Sequence, residues 1–392
     1  MQNKKIIDQS VVFRFVLIIG IVNLFADFTY EGGRSIMGPF LAFLGASGTI
    51  VGFVAGFGEL MGYALRSVSG YFADKTHQYW MVAISGYVIN MLAVPALALA
   101  GSWPVAAALM ILERTGRAIR RPAVETMLSY TTKEMGRGWV FGFNEALDQT
   151  GATLGPLLVA LVLYLKGSYK DGFAILLISA LLCLGTIIVA RFLYPRPQDL
   201  EKKQAKPLQT RGFSKVYWLY VMAGALIAAG YADFALISFH FQKVASVSTN
   251  MIPLFYAAAM ASGAIAALVF GRLFDRIGYS AIIIAFSLSA LSAPLVFLGQ
   301  FALIFIGMIL WGLGIGAQDS LLKAVITDIV PVDKKSTAFG VFDTGFGIFW
   351  FLGSVIMGFL YDRSIPALIL FSFLLQMGAL PVFLLARKQI IK

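Results

Sequence analysis

The chain has 392 residues, of which 59% are hydrophobic and 13% charged, with 31 Lys and Arg against 20 Asp and Glu. Soluble domains run nearer about 45–50% apolar and about 25% charged. The composition therefore excludes an ordinary globular enzyme, a disordered chain and a coiled coil.

Met1 to Gln9 is polar and basic, and the segment after it is too long and too charged for a cleaved leader, so it reads as a first spanning helix. Runs able to cross roughly 30 Å of hydrocarbon are predicted at 13–43, 48–72, 79–99, 103–131, 137–165 and 171–193. Six more follow at 216–242, 251–271, 279–299, 301–329, 336–361 and 366–386. The expected fold is an all-α polytopic membrane protein, with twelve transmembrane helices in two six-helix pseudo-symmetric bundles. With this threading, twenty Lys and Arg fall on the face shared by both termini and four on the other. The positive-inside rule puts both termini in the cytoplasm, in an inner (plasma) membrane. The net charge of +11 is then a topology signal and not a footprint for nucleic acid.

The chain has no GxxxxGK phosphate loop and a single cysteine, Cys183, which rules out an intramolecular disulfide. Its only histidines are His77 and His240. No cofactor or bound metal is expected, and no nucleophile–base–orienter set supports an enzyme.

The longest polar stretch, 195–214, separates residues 1–194 from 215–392 and reads as a linker between two bundles. An internal repeat runs across it. Gly70, Asp74 and Lys75 match Gly271, Asp275 and Arg276 at an offset of 201, and Pro95 matches Pro294 at 199. Gly116, Phe141, Gly142 and Gly155 match Gly314, Phe339, Gly340 and Gly353 at 198. Ala26-Asp27-Phe28 matches Ala232-Asp233-Phe234 at 206. Parallel six-helix repeats of this kind are associated with rocking secondary transporters.

On these residues the whole chain resembles the major facilitator superfamily. The loop Gly70 to Tyr79 looks like that superfamily's G-x-x-x-D-[RK]-x-G-[RK] loop, with His77 in place of the second glycine, and Gly271 to Gly278 is a closer copy. Gly151-x-x-x-Gly155-Pro156 resembles the antiporter motif of the fifth helix, without its following Gly-Gly. The resemblance implies a cavity lined by helices 1, 4, 7 and 10, and loops at Asp74 and Asp275 that hold one face shut.

Charges inside hydrocarbon are functional candidates. Helix 1 carries Asn23, Asp27, Glu31 and Arg34 on one face. Helix 4 carries Glu113, Arg114, Arg117, Arg120, Arg121 and Glu125 within an arc of about 140°, with Glu113–Arg117 and Arg121–Glu125 spaced as i,i+4 pairs. Helix 2 adds Glu59 and Arg66; helix 5 adds Glu145 and Asp148, placed to neutralise Arg117, Arg120 or Arg121 or to form a gate. Helix 7 offers Asp233 and His240, helix 10 the expected pair Asp319–Lys323, and helix 11 Asp343. Asp27 and Asp233 are the first choices for proton carriers because neither has a local partner. The substrate or proton pathway is expected over Asp27, Glu31, Arg34, Glu113, Arg114, Arg117, Asp233, His240, Asp319, Lys323 and Asp343. Gating is expected from Gly70, Asp74, Lys75, Arg120, Arg121, Glu145, Asp148, Gly151, Gly155, Pro156, Gly271, Asp275 and Arg276. The predicted function is secondary transport of a small organic solute by alternating access, as proton-coupled efflux by a monomer in the lipid bilayer. Uniport or symport uptake of an organic anion is the alternative, and divalent-metal transport through Asp27, Glu31, Asp233 and His240 is the third reading.

Overall fold

The computed structural model describes residues 9–131, 137–200, 213–322, 325–326 and 335–390. The first six spans are α1 (Gln9–Phe43), α2 (Gly48–Thr76), α3 (Tyr79–Ala96), α4 (Trp103–Ser129), α5 (Arg137–Lys166) and α6 (Tyr169–Leu193). The seventh is split into α7 (Lys215–Gly230) and α8 (Phe234–Val244). The rest are α9 (Ile252–Ile277), α10 (Tyr279–Ala290) with α11 (Ser292–Leu298), α12 (Phe301–Ala317), α13 (Lys335–Arg363) and α14 (Ile365–Ile390). Among the described residues eleven spans are long and apolar enough to cross a membrane, and α4 is the twelfth, which falls short on composition because of its charges. The expected linker lies mostly outside the described residues, at 201–212.

The two halves repeat their packing. In the first, α1 packs on α5 and α6, and α4 on α2 and α3; in the second, the seventh span packs on α13 and α14, and α12 on α9 and α11. Glycines set the closest crossings. A Cβ on Gly155 would lie 2.1 Å from the Phe28 carbonyl oxygen, and one on Gly353 would lie 2.1 Å from that of Ala229. These equivalent crossings place Ala229, and not Phe234, opposite Phe28. The Ala-Asp-Phe match at an offset of 206 is therefore not a structural equivalence, since the packing repeats at 201.

The seventh span was expected to be one helix over 216–242. It breaks at Tyr231–Asp233 because other groups take over the freed backbone, which hydrocarbon otherwise forbids. Ser372 Oγ and Gln376 Nε2 donate to the Gly230 carbonyl at 2.6 and 3.1 Å. Trp311 Nε1 donates to that of Ala232 at 2.8 Å. Asp233 caps α8 by accepting from Ala235 N at 2.9 Å. Pro95 and Pro294, which match in the repeat, mark smaller irregularities: a 3₁₀ turn after α3 and the division between α10 and α11.

The halves meet on the face opposite the termini. There Gly48, Gly52 and Gly56 of α2 lie against Ser354 and Gly358 of α13, so close that a Cβ on Gly52 would be 2.3 Å from the Ser354 carbonyl oxygen. Small residues four apart let helix backbones touch in this way. Gly155→Leu is expected to abolish monodisperse, folded protein in size-exclusion chromatography, because the obstructing atom is backbone and cannot move aside. Gly62→Ala, with no heavy atom within 4 Å of the added Cβ, is expected to leave the elution profile unchanged.

Candidate functional site

The polar face of α1 meets the polar face of α4, and the buried charges form two connected layers. The layer nearer the termini centres on Arg120, which is 5% exposed. Its Nε donates to Asn90 Oδ1 at 3.2 Å, and its terminal nitrogens reach Asn23 and Asp27 Oδ1 at 3.5 Å. The guanidinium lies 4.5 Å from the centre of the Tyr87 ring. Tyr87 donates to Asn23 Oδ1 at 2.5 Å, Asn23 to Asn144 at 3.2 Å, and Asn90 to Glu113 Oε1 at 2.8 Å. Arg120 thus ties α1, α3, α4 and, through Asn23, α5. Asp27, read from the sequence as uncompensated, has Arg120 as its partner.

The second layer spans both halves. Arg34 lies 3.6 Å from Glu59 Oε1, 3.6 Å from Asp233 Oδ2 and 4.0 Å from Glu31 Oε2. Asp233 is therefore a helix cap paired across the interface, not a lone acid. Arg114 bonds Glu59 Oε1 at 2.7 Å and lies 3.7 Å from Glu113 Oε2. Tyr256 donates to Glu31 Oε2 at 2.5 Å, a second link between the halves. Tyr30 is fully buried in the middle, with Arg117, Arg114 and Arg34 at 4.0, 5.1 and 6.0 Å from its ring centre. The expected Glu113–Arg117 pair does not form: Glu113 turns to Asn90 and Arg114, and Arg117 stacks on Tyr30.

His240 is not part of this site. It sits on α8 beyond the break, with Nδ1 3.1 Å from Tyr361 OH and its ring 5.0 Å from that of Phe297. Next to Tyr361, the Asp362 carboxylate accepts from Gly48 N at 2.8 Å and from Thr49 N and Oγ1 at 2.7 and 2.6 Å. The second half thereby caps the first turn of α2, where the helix dipole favours an anion.

The remaining expected residues are dispersed. Arg121 pairs with Glu125 at 2.9 Å on an exposed surface, and Glu145 accepts from Gln149 at 2.9 Å. Asp148 has a buried Oδ1 without a hydrogen-bond partner, and its strongest charged neighbours are Asp27 and Glu145. Neither Glu145 nor Asp148 lies within 4.0 Å of an arginine among the described residues, so neither forms a direct ion pair there, although Arg120 and Arg121 are within electrostatic reach of Asp148 and Arg121 within that of Glu145. Asp343 lies within electrostatic reach of Arg66. Gly151, Gly155 and Pro156 belong to the α1–α5 crossing inside one half. Gly70 backs onto Pro122, Asp74 accepts from Tyr79 OH at 3.2 Å, and Lys75 lies over the Tyr71 ring. Gly271 has open space beside it and Arg276 is exposed. Lys323 and the side chains of Asp275 and Asp319 lie outside what the structure describes.

The sequence reading passed over Asn90, Tyr87, Tyr256 and Asp362. A polar residue in an otherwise apolar span was the available signal for Asn90. Nothing in the chain pattern marked Asp362, whose role depends on a helix more than three hundred residues away.

A twelve-span bundle of repeated halves around a buried charged seam is the architecture of a membrane transporter. The sequence profile of the Major Facilitator Superfamily matches residues 19–353, and the chain belongs to that family. An uncharacterized protein of Mycobacterium tuberculosis is 38% identical over 373 residues, covering 94% of this chain and 91% of its own. An uncharacterized MFS-type transporter of Methanocaldococcus jannaschii is 26% identical over 363 residues, covering 89% of each. The fold is similar to that of nucleoside transporter NupG, with a TM-score of 0.73, 14% identity, and coverage of 96% of this chain and 99% of that one. It is also similar to a bacterial homolog of the human lysosomal transporter Spinster, at 0.71 and 14%, covering 96% and 97%.

Arg34→Met leaves Asp233, Glu31 and Glu59 without their shared partner. Orphaning buried charge costs about 3–5 kcal/mol, so a marked fall in melting temperature in detergent is expected. Adding Asp233→Asn is expected to recover part of the loss; additive losses would show that the two residues do not interact.

Proposed function

We propose that this protein is an alternating-access secondary transporter of a small organic solute, working as a monomer in exchange for protons, with both termini in the cytoplasm of an inner membrane. The observation that carries this reading is the closure, among the described residues, of the face opposite the termini. Gly52–Ser354, Asp362–Thr49 and a hydrogen bond from Tyr169 to Gln242 (2.7 Å) all join the halves on the face opposite the termini. On the terminal face Glu125, Glu145 and Thr344 are exposed and Arg121 is partly so. With 195–214 as the linker, the two bundles rock about the Arg34 seam. Closure of the other face engages the loops of Asp74 and Asp275. The excess of Lys and Arg on the terminal face supports the orientation.

Asp148 is the acid assigned to the transported proton. Asp27 and Asp233 hold arginine partners within 4.0 Å, while Asp148 is half-buried, with a buried Oδ1 that has no hydrogen-bond partner and with Asp27 and Glu145 in electrostatic reach alongside Arg120 and Arg121. The antiporter-like Gly151, Gly155 and Pro156 support exchange over co-transport.

In proteoliposomes containing a pH dye, addition of solute is expected to move protons in the opposite direction. Asp148→Asn is expected to abolish that proton flux while leaving solute counterflow. Proton movement in the same direction as solute, or none, would overturn the exchange reading. A second expectation concerns the closed face. Asp362→Ala removes the cross-half cap, worth about 1 kcal/mol, and is expected to shift the open-to-closed ratio about fivefold. Spin labels at Ser102 and Gln300 report this as a gain in the longer distance, and the native Cys183 is buried and escapes labelling.

A further inference from the structure

The seam around Tyr30 contains four buried polar atoms without a hydrogen-bond partner: Tyr30 OH, Arg34 Nε, Glu113 Oε2 and Asp233 Oδ2. Buried polar groups are nearly always satisfied, so four in one seam are unusual. They are also of both kinds. Arg34 Nε only donates, the carboxylate oxygens only accept, and the hydroxyl does either.

The ion pairs narrow the chemistry further. Asp27, Glu31, Glu59, Glu113 and Asp233 each lie within 4.0 Å of an arginine. Arg117 is the exception among the cations of the seam. It has no carboxylate within 4.0 Å among the described residues and rests on the face of Tyr30 instead. An organic cation could approach the unbonded carboxylate oxygens but would leave Arg117 without a counter-charge. A bare anion would find Arg117 but enter a seam where five carboxylates face four arginines. A solute bearing one charge of each sign leaves that balance unchanged.

We infer that the seam binds an amino acid, a small zwitterion whose carboxylate seats on Arg117 and whose ammonium reaches Glu113 Oε2. The two side chains are one turn apart on α4, with Cβ atoms roughly 5–6 Å apart, a gap that a short zwitterion bridges. The guanidinium fork suits a carboxylate. Phe234, Tyr256 and Trp311, all buried, form a contiguous aromatic group beside Glu31, with Phe234 and Tyr256 ring centres 4.2 Å apart, so the wall behind that carboxylate is apolar. A cationic stripe leads there from the open face: the Arg121 side chain is 39% exposed and that of Arg114, two turns deeper, 11%.

This inference rests on the transporter reading but is tested by binding alone. Purified protein in detergent is melted with millimolar phenylalanine, leucine or alanine, and with the N-acetyl and amide derivative of each. At least one free amino acid is expected to raise the melting temperature by several degrees, with its two derivatives at least tenfold weaker. Arg117→Gln is expected to remove the shift, and Arg363→Gln, on the far face, to keep it. Glu113→Gln, which preserves shape, is expected to weaken the free amino acid while leaving the N-acetyl anion unaffected. Absence of a shift with every free amino acid, or an equal shift with an N-acetyl or amide derivative, overturns the proposal. If an amino acid binds but proteoliposomes show no proton exchange, the exchange reading fails and this site stands.

Discussion

A charge buried in a bilayer must find its counter-charge within the protein, and Arg34 is where that requirement joins the two halves. Its guanidinium is shared by Glu31 on its own helix, Glu59 on α2 and Asp233 at the head of α8. Removing water from such a group costs several kcal/mol, and only close partners repay it. The arrangement explains why α1 meets α8 tightly enough for Gly38 to lie against the Ala235 backbone, and why the seventh span breaks where it does. An unbroken helix would not offer Asp233 as a cap that faces Arg34 and the Ala235 amide at once.

Glycine crossings hold helices together both inside each half and between the halves, but the halves are also joined by polar links. Within a half, glycines such as Gly155 and Gly353 hold fixed crossings against backbone carbonyls. Between halves, Gly52 and Gly38 make such crossings against Ser354 and Ala235, and the Arg34–Asp233 pair, a capping carboxylate and a few tyrosine hydrogen bonds are added. The crossings inside a half cannot be undone without separating a helix from its bundle. The polar links between halves are few and lie in the charged seam and on the face opposite the termini, which suits an interface that opens and closes.

The sequence revealed the spans, the repeat and the family, because hydrocarbon thickness imposes a length on every helix and two copies of one bundle leave matching glycines at nearly constant offset. It also showed which helices carry buried charge. It did not show which charge meets which. Asp27 and Asp233 looked alike because both lack a partner within a few residues, yet Arg120 and Arg34 supply those partners from other helices. Helical spacing made Glu113 and Arg117 look like a pair, whereas the ring of Tyr30 on α1 draws Arg117 away. The break at Tyr231–Asp233 was hidden for the same reason: the groups that make it tolerable, Trp311, Ser372 and Gln376, are far along the chain.

That break makes the two repeats mechanically unequal. α1 is a single rod of 35 residues, whereas its counterpart consists of two shorter rods joined by three residues whose carbonyls are partly held by side chains. A torque on α1 meets no break in the helix, only Pro39 near its far end. On the opposite side, α8 can change its tilt with Arg34 while α7 keeps its seat against α14, so strain at the seam is dissipated at the joint before it reaches the rest of the second bundle.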